Sequence, residues 1–333
     1  MSPPRIRIGL VGAGGIARAH LPNLLRLGEV VVHSTAGAPA LVAAFGGGEV
    51  VDSLEDLLER VDVVDVAVPT FAHAEIVRAA LAAGKPVISE KPLALTDEDA
   101  ADLAARAEAA RLPLYPAHVV RYFPEYVRLK EAVDAGTLGD LAVLRFSRSG
   151  AFPMHTPWFA DHALSGGIVM DQMIHDLDMA RWIAGEVVRV SAVTARVPDD
   201  RDPVEAAHVL LTHASGAISH VAGLWGPQHL PFTTEYSVTG TGGTLAHSSA
   251  AEQNYRSELA AAVAADGFLP AVDPAEDPYF AELHEFVDAI QGGPTPRVSA
   301  ADGVAAVALA NAARRSLETG QPVELPSFSR VGA

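Results

Sequence analysis

Three side chains have the types and spacing that proton transfer from a hydroxyl group requires. Asp171 and His175 lie one helical turn apart in GGIVMDQMIHDLDMARW, residues 166–182, and Lys91 follows an apolar run in KPVISEKPLAL. An imidazole with an unperturbed pKa of about 6.5 suits a general base at neutral pH, and a carboxylate one turn away can orient it. The sequence therefore suggests Lys91, Asp171 and His175 as a catalytic set.

The stretch around His175 carries a one-sided polar stripe if it forms a single helix. At 100° per residue, Asp171, His175, Asp178 and Trp182 fall within roughly 60° of the helix surface, and Asp176 lies outside this wedge. A solvent-facing side, a metal site that shares His and Asp ligands and an acid/base pair all remain open. The wedge contains no Lys, Arg or Glu, and no third metal ligand stands in a recognisable motif. We favour the acid/base pair and expect no metal.

Lys91 stands at a position where a compact ammonium is preferred over a guanidinium. Only three of the 24 basic residues are Lys, so a position that needs positive charge alone would more often be Arg. Glu90, Lys91 and Pro92 end a predicted strand, and the ligand crevice of an open parallel sheet lies outside the carboxyl ends of its strands. An ammonium there can contact a substrate hydroxyl.

A glycine-rich turn follows the first predicted strand, IRIGLVG. Gly12, Gly14 and Ala17 match G-x-G-x-x-A, with Gly15 and Ile16 between them. Such a turn brings backbone N–H groups and a helix N-terminus against a pyrophosphate. We therefore predict nucleotide binding at residues 12–17 and favour it over a glycine turn with no ligand.

The end of the second predicted strand bears on the choice between NAD and NADP. An acid that binds the adenosine ribose is usual about 20 residues after the turn, but Ser34 and Thr35 stand there, and no acid occurs between Glu29 and Glu49. The missing carboxylate favours NADP. No Arg or Lys in the same interval can pair with a 2′-phosphate, so NAD also remains open.

The elements that must position these residues fall into two patterns. Up to residue 120, β-branched strands alternate with Ala- and Leu-rich helices, which predicts an α/β domain, a Rossmann-type doubly wound parallel sheet. From residue 121 to 333, paired strands separated by ASG and TGG indicate a mostly antiparallel open sheet in an α+β domain. We therefore expect a dinucleotide-binding domain at 1–120 and a substrate-binding and oligomerisation domain at 121–333.

Composition excludes several other classes of protein. The formal net charge is −17 and no basic cluster occurs, which argues against nucleic acid or an anionic membrane surface as a partner. There is no Cys, so disulfides and thiolate metal sites are excluded. The N-terminal stretch lacks a signal-peptide pattern and no segment has the apolar length of a membrane span. We expect a cytoplasmic protein with a small-molecule partner.

Several motifs, in this order, resemble the glucose-fructose oxidoreductase and inositol 2-dehydrogenase (Gfo/Idh/MocA) family. They include VPTFAHAEIVRAALAAGKPVISEKPLALT, HVVRYFPEYVRLKEAVDAGTLG and GGIVMDQMIHDLDMARWIAGE. The resemblance implies a two-domain NAD(P)-dependent oxidoreductase that transfers a hydride to or from a sugar or cyclitol, and a homodimer or homotetramer. A non-catalytic nicotinamide-sensing regulator and a nicotinamide-dependent glycoside hydrolase are alternatives within the same family.

The resemblance also implies individual residue roles. Lys91 would contact the nicotinamide ribose and the reacting oxygen, and Glu90 would support the cofactor site. Pro69, Thr70 and His73 would line the cofactor. Residues 166–178 carry the family pattern G-G-x-x-x-D-x-x-x-H-[DE]-x-D, in which Asp171 and His175 stand at the acid and imidazole positions.

Residues with aromatic or hydrogen-bonding side chains near the predicted catalytic stretch are weaker candidates for contact with the substrate. A sugar or cyclitol ring suits such side chains. The candidates are Arg121, Arg148, His155, Trp158 and Trp225, with Phe159, His229 and Phe232 as further members of the same loops. Arg121 could equally brace two domains.

Overall fold

The computed structural model describes residues 5–154, 156–199, 203–250 and 277–326. Within these ranges the chain divides into two compact units. The first comprises Met1–Phe123 and Asp273–Val307, and the second comprises Pro124–Val272 and Ala308–Ala333. The division at residue 120 that we expected from the sequence differs from this one, because it assigns every residue after 120 to the second domain, whereas a late segment belongs to the first unit.

The first unit contains a six-stranded, fully parallel sheet with the order β3-β2-β1-β4-β5-β6. This order confirms the predicted Rossmann-type sheet, in which the order of the strands along the chain reverses between β1 and β4 while all strands stay parallel. Its strands are β1 (Arg7–Val11), β2 (Glu29–His33), β3 (Glu49–Val50), β4 (Val63–Val66), β5 (Val87–Glu90) and β6 (Leu114–Ala117). The helices between them are α1 (Ala17–Leu27), α2 (Ala38–Phe45), α3 (Leu54–Arg60), α4 (Thr70–Ala82) and α5 (Asp97–Ala110), followed by a 3₁₀ turn at Val119–Tyr122.

The central strands of this sheet are buried, as β-branched runs covered on both faces require, whereas both residues of the edge strand β3 are exposed. All four residues of β4 and of β5 are buried. Ser53 and Thr96 accept hydrogen bonds from Asp56 and Asp99 and so begin α3 and α5, a form of capping worth about 1 kcal/mol.

The second unit contains a seven-stranded sheet with the order β12-β11-β7-β10-β9-β8-β13. Its neighbouring strands are antiparallel except β7 and β10, which are parallel, so the predicted mostly antiparallel sheet is confirmed. The strands are β7 (Leu141–Ala151), β8 (Val187–Val197), β9 (Val204–His213), β10 (Ile218–Gly226), β11 (Thr233–Gly240), β12 (Gly243–Ser248) and β13 (Val323–Glu324).

The stretch predicted as one helix over 166–182 is broken, and that prediction was wrong. After α6 (Pro124–Asp134) and a 3₁₀ turn at Pro157–Phe159 come α7 (His162–Ser165), α8 (Gly167–Asp171) and α9 (Ile174–Ala184). The backbone N–H groups of Gln172 and Met173 both donate to the carbonyl of Ile168, at 3.0 and 2.9 Å. The second of these bonds spans five residues, one more than an α-helical turn. Met173 is fully buried, and the wider turn lets the Met173 side chain lie against Gly223 of β10.

Two late helices complete the described chain, α10 (Pro278–Ile290) and α11 (Ala300–Thr319). In the first unit, α10 packs on α1. Asn23 donates a 2.8 Å hydrogen bond to Asp277, and Leu283 and Phe286 belong to the same buried core as Leu24. This packing explains why the segment returns to the first unit. Among the helices of the described ranges, none combines the length and apolarity needed to cross a bilayer.

Candidate active site

Gly12 forms the first part of the predicted dinucleotide turn, and only glycine fits there. Its φ is +118°, and its N–H donates a 2.8 Å hydrogen bond to the carbonyl of His33 at the end of β2. An added Cβ would lie 2.3 Å from the carbonyl oxygen of Ala67 after β4. The turn is therefore pressed against the backbone of two strands, which no larger residue would allow.

The rest of the turn is open to a ligand. Gly14 and Gly15 are exposed, and a Cβ added at either would meet no protein atom within 4 Å. Ile16, the N-cap of α1, makes no side-chain capping bond, and the first turn of α1 has no acidic residue. Ala17 is fully buried against the sheet. Accessible backbone and an uncapped helix N-terminus fit a pyrophosphate.

Ser34 and Thr35 directly follow β2. Ser34 is half-buried and Thr35 is exposed, so this edge of the first unit presents hydroxyl groups where an acid is usual. The nearby Arg18, on the first turn of α1, lies over the ring of Phe45 at 5.4 Å.

The loops after β4 and β5 are tied together by His73. Its Nδ1 lies 2.7 Å from the carbonyl oxygen of Pro92, and its Nε2 lies 2.9 Å from that of Val68. Burial lowers the pKa of His73, whereas the two carbonyl contacts raise it, and the net direction is downward. Pro69 precedes α4, and Thr70, its first residue, is buried. His73 thus holds the shape of the predicted cofactor loops, and direct cofactor contact by these three residues stays a prediction.

Glu90 and Lys91 occupy the end of β5 as predicted from the sequence. Glu90 is 5% exposed, and its Oε2 accepts a 3.0 Å hydrogen bond from the backbone N–H of Lys91. Lys91 is half-buried and its peptide bond to Pro92 is cis. The backbone position of Lys91 is therefore fixed by the side chain before it.

A buried cluster behind Glu90 was missed from the sequence. It comprises His20 of α1, Asp65 of β4, Glu90 and Glu282 of α10, which we call the His20 cluster. His20 Nδ1 lies 2.8 Å from Asp65 Oδ2, and its Nε2 lies 3.2 Å from Glu90 Oε1. A signal was present, because Asp65 interrupts the apolar run VVDVAV and a buried carboxylate needs a partner.

In the second unit, Asp171 ends α8, and His175 lies in the first turn of α9. Asp171 is 8% exposed and Asp178 is 2% exposed, while His175 is half-buried. The solvent-facing explanation of the stripe is therefore wrong. Because the helix is broken at 172–173, Asp171 and His175 belong to different helices, and the common polar face expected for one continuous helix does not exist. Within the described part of the chain, no group of three or more His, Asp or Glu side chains is arranged to hold a metal ion.

Asp176 has a structural partner in Arg148. Two hydrogen bonds, at 3.0 and 2.9 Å, join the Arg148 guanidinium to the Asp176 carboxylate, and the side chains are 5% and 0% exposed. The Arg148 carbonyl also accepts a 2.8 Å bond from the side chain of Gln172. This pair anchors β7 at the start of α9, which gives Asp176 a structural role.

The other substrate candidates differ in their surroundings. Arg121 is 1% exposed, and pairs with Asp302 at 3.3 Å within the first unit. Trp225 is 2% exposed and packs on Phe152. Trp158 is half-buried and stacks on its neighbour in the chain. His155 lies outside the described residues. Contacts of these side chains with substrate stay predictions, and Arg121 and Trp225 already have roles in packing.

A surface cavity of about 540 Å³ lies at the opposite ends of the strands from the glycine turn. Arg7 and Glu29, which begin β1 and β2, line it together with Arg60. Arg7 pairs with Asp62, and Arg60 pairs with Glu49. The cavity therefore does not coincide with the predicted site, and its cations already have partners.

Comparison with family models covers most of the chain. Residues 6–118 match a model described as an oxidoreductase family with an NAD-binding Rossmann fold. Residues 126–246 match the GFO/IDH/MocA C-terminal domain.

Curated relatives match over nearly their whole length. Myo-inositol 2-dehydrogenase of Thermotoga maritima is 28% identical, with 96% of this chain and 98% of that enzyme covered. Inositol 2-dehydrogenase of Ralstonia nicotianae is 31% identical, with 98% and 99% covered. A dTDP-3,4-didehydro-2,6-dideoxy-alpha-D-glucose 3-reductase of Streptomyces antibioticus is 31% identical, with 88% and 91% covered.

Solved structures match nearly the whole chain. GenD2 from gentamicin A biosynthesis, in complex with NAD, has a TM-score of 0.85 at 26% identity, with 98% of each chain covered. A myo-inositol dehydrogenase from Corynebacterium glutamicum has a TM-score of 0.77 at 25% identity, with 96% of this chain and 99% of that chain covered.

Proposed function

Because this chain belongs to the GFO/IDH/MocA oxidoreductase family, we propose that it interconverts a carbinol and a ketone on a sugar or cyclitol. The chain is an NAD(P)-dependent oxidoreductase that acts on CH–OH groups. The observation that carries the proposal is the turn at residues 12–17, where Gly12 fits only as glycine and the uncapped start of α1 is open, in a chain that matches inositol dehydrogenases end to end.

The dinucleotide would be held by the turn at residues 12–17, by Ser34 and Thr35, and by the loops at 69–73 and 90–91. When bound, its nicotinamide supplies the acceptor or donor of hydride. We propose NADP as the preferred form, because Ser34 and Thr35 place no carboxylate beside a 2′-phosphate. The measurement is the ratio of kcat/KM with NADP to that with NAD, and a ratio below one contradicts this preference.

We propose His175 as the general base that accepts the proton of the reacting hydroxyl. In this proposal its imidazole takes the proton during oxidation and returns it during reduction, Asp171 orients the imidazole or bonds a neighbouring hydroxyl, and Lys91 contacts the reacting oxygen. General acid–base catalysis of this kind contributes about 10²–10⁴ in rate. His175→Ala should lower kcat by that factor, with His284→Ala, an exposed histidine of α10, as the matched control. Near-full turnover of His175→Ala at neutral pH contradicts the assignment.

The substrate class is tested by a panel of sugars, cyclitols and their keto forms with NAD and NADP, read by the absorbance of reduced nicotinamide. We expect turnover with at least one cyclitol or sugar, and none in the absence of dinucleotide. Absence of turnover across the panel, with dinucleotide bound, contradicts the proposed reaction. Release of a leaving group without net reduction would indicate hydrolysis instead.

We also propose a homodimer or homotetramer. Val193, Leu210 and Ile218 are 67%, 45% and 42% exposed, and the strand register places them on one face of the second sheet, beside His208 and His220. Exposed apolar side chains grouped on one face favour association. Light scattering gives the mass in solution, and a monomer at micromolar concentration contradicts this proposal.

A further inference from the structure

His20 lies between two buried carboxylates. Asp65 and His20 are fully buried and Glu90 is 5% exposed. Each ring nitrogen of His20 faces a carboxylate oxygen, at 2.8 Å for Asp65 and 3.2 Å for Glu90. With both carboxylates ionised, which can then only accept hydrogen bonds, both nitrogens donate and the ring is an imidazolium.

The same carboxylate that bonds His20 also fixes the start of the Lys91 loop. Glu90 uses Oε1 for His20 and Oε2 for the backbone N–H of Lys91, at 3.0 Å. On the far side of Lys91, the carbonyl of Pro92 lies 2.7 Å from His73 Nδ1. Two buried side chains thus hold the backbone on both sides of Lys91: Glu90 of β5, which is itself bonded by His20, and His73 of α4.

We propose that His20 is a positioning residue, which keeps Glu90 ionised and oriented and thereby places Lys91 for the dinucleotide and the reacting oxygen. The proposal rests on the proposed function, since it concerns the same dinucleotide site. His20 itself does not touch the reacting atoms in this account. It acts through Glu90, whose carboxylate bonds the His20 ring with one oxygen and accepts a hydrogen bond from the backbone N–H of Lys91 with the other.

The charges around His20 support this assignment. Burial lowers the pKa of His20, but Asp65 and Glu90 raise it well above its ordinary value. Burial raises the pKa of Glu90, but His20 and Lys91 bring it below its ordinary value. The titratable groups that face His20 are Asp65, Glu90, Glu282 and, through its ring at 6.3 Å, Tyr279; His73 and Lys91 act on Glu90.

Glu282 is the fourth member of the His20 cluster. Neither of its carboxyl oxygens has a hydrogen-bond partner among the described residues, and burial, then Glu90, raise its pKa well above its ordinary value. With Glu282 protonated, one imidazolium balances one of the two carboxylates of Asp65 and Glu90. Glu90 also interacts electrostatically with Lys91, which follows it at the end of β5.

The first test compares His20→Asn with His213→Asn in the full chain. His213 is 1% exposed and is bonded to the Gly185 carbonyl and to Ser219, so it controls for the loss of a buried histidine. Dinucleotide affinity is measured by calorimetry without substrate. We expect the Kd of His20→Asn to rise at least tenfold more than that of His213→Asn, at a similar loss of Tm. Equal Kd values in the two variants overturn the proposal.

A spectroscopic readout makes the test independent of binding and turnover. In a ¹⁵N-histidine spectrum, the signals absent from His20→Asn identify His20, and both of its nitrogens should be protonated from pH 6 to 9. A neutral His20 ring in this range overturns the proposal even if the enzyme is active. Failure of the wild type to bind either dinucleotide would instead refute the proposed function and leave the imidazolium result standing.

A pH profile separates positioning from packing. Asp65→Asn removes one of the two carboxylates that raise the pKa of His20, so the buried ring should lose its proton as the pH rises. We expect dinucleotide affinity of Asp65→Asn to fall at least threefold between pH 6.5 and 8.5, relative to the wild type. Parallel profiles for the two proteins overturn the proposal.

Discussion

Two glycines of the same turn should respond differently to substitution: one change should lower the stability of the protein, and the other should lower its affinity for the dinucleotide. Gly12→Ala places a Cβ 2.3 Å from the Ala67 carbonyl oxygen at a φ of +118°. The backbone conformation costs about 1–3 kcal/mol, and relief of the contact, which requires movement of the chain after β4, costs about 1–3 kcal/mol more. We expect a loss of about 2–6 kcal/mol, which lowers Tm by at least about 4 °C for a domain of this size.

Gly14→Ala should have the opposite profile. No protein atom lies within 4 Å of the added Cβ, so the free energy of unfolding should change by less than about 1 kcal/mol. A methyl group at this exposed turn would occupy space needed by the pyrophosphate, and the Kd for dinucleotide should rise at least tenfold. The assay is thermal unfolding and calorimetric titration of both variants. A stable Gly12→Ala would refute the steric argument for Gly12, and a Gly14→Ala that binds as the wild type does would refute the placement of the pyrophosphate.

Three further changes test other parts of the structure. Arg148→Met leaves the Asp176 carboxylate buried without its cation and should lower the free energy of unfolding by about 3–5 kcal/mol, measured by denaturant titration. Glu282→Gln should stabilise the protein increasingly as pH rises. Because the pKa of Glu282 is raised in the folded protein, the free energy of unfolding of the wild type should fall by about 1.4 kcal/mol per pH unit between the pKa of this group in the unfolded state and its pKa in the folded state. The measurement is Tm as a function of pH for both proteins. Gly167→Ala, at φ +71° and with its Cβ 2.5 Å from the His162 ring, should lower kcat at least tenfold, by displacing α8, with dinucleotide Kd unchanged.

Each of these changes has a control or a contrary outcome. Arg7→Met breaks an exposed pair with Asp62 and should leave the free energy of unfolding nearly unchanged, so equal losses for Arg7→Met and Arg148→Met contradict the first prediction. A difference in Tm between Glu282→Gln and the wild type that is constant with pH contradicts the second. A Gly167→Ala variant with normal kcat contradicts the third.

Sequence periodicity predicted the elements because their signals are local. Alternating βαβ segments and the two hairpins carry their own turn residues, and the structure confirms both sheets. The break at residues 172–173 could not be predicted in this way. It depends on Met173 reaching Gly223, a contact between segments far apart in the chain.

The candidate site was predicted in part. Gly12 and Lys91 stand where their motifs indicated, because turn and strand end are defined by neighbouring residues. Arg121 and Trp225 were selected by residue type alone, and burial of each side chain depends on tertiary packing that their sequence neighbours do not indicate. His20 of α1 was missed for the same reason, since its carboxylate partners, Asp65 and Glu90, lie on two strands far from it in the sequence.

The packing of α10 on α1 has a consequence for synthesis on the ribosome. Leu283 and Phe286 close the same apolar core as Leu24, yet they are translated after six strands of the second sheet, β7 to β12. The apolar side of α1 therefore stays uncovered while the nascent chain lengthens, and the nucleotide-binding half becomes complete only near the end of translation. A fragment that stops at Phe123 would retain the glycine turn but expose this core, and aggregation is the expected fate of such a fragment.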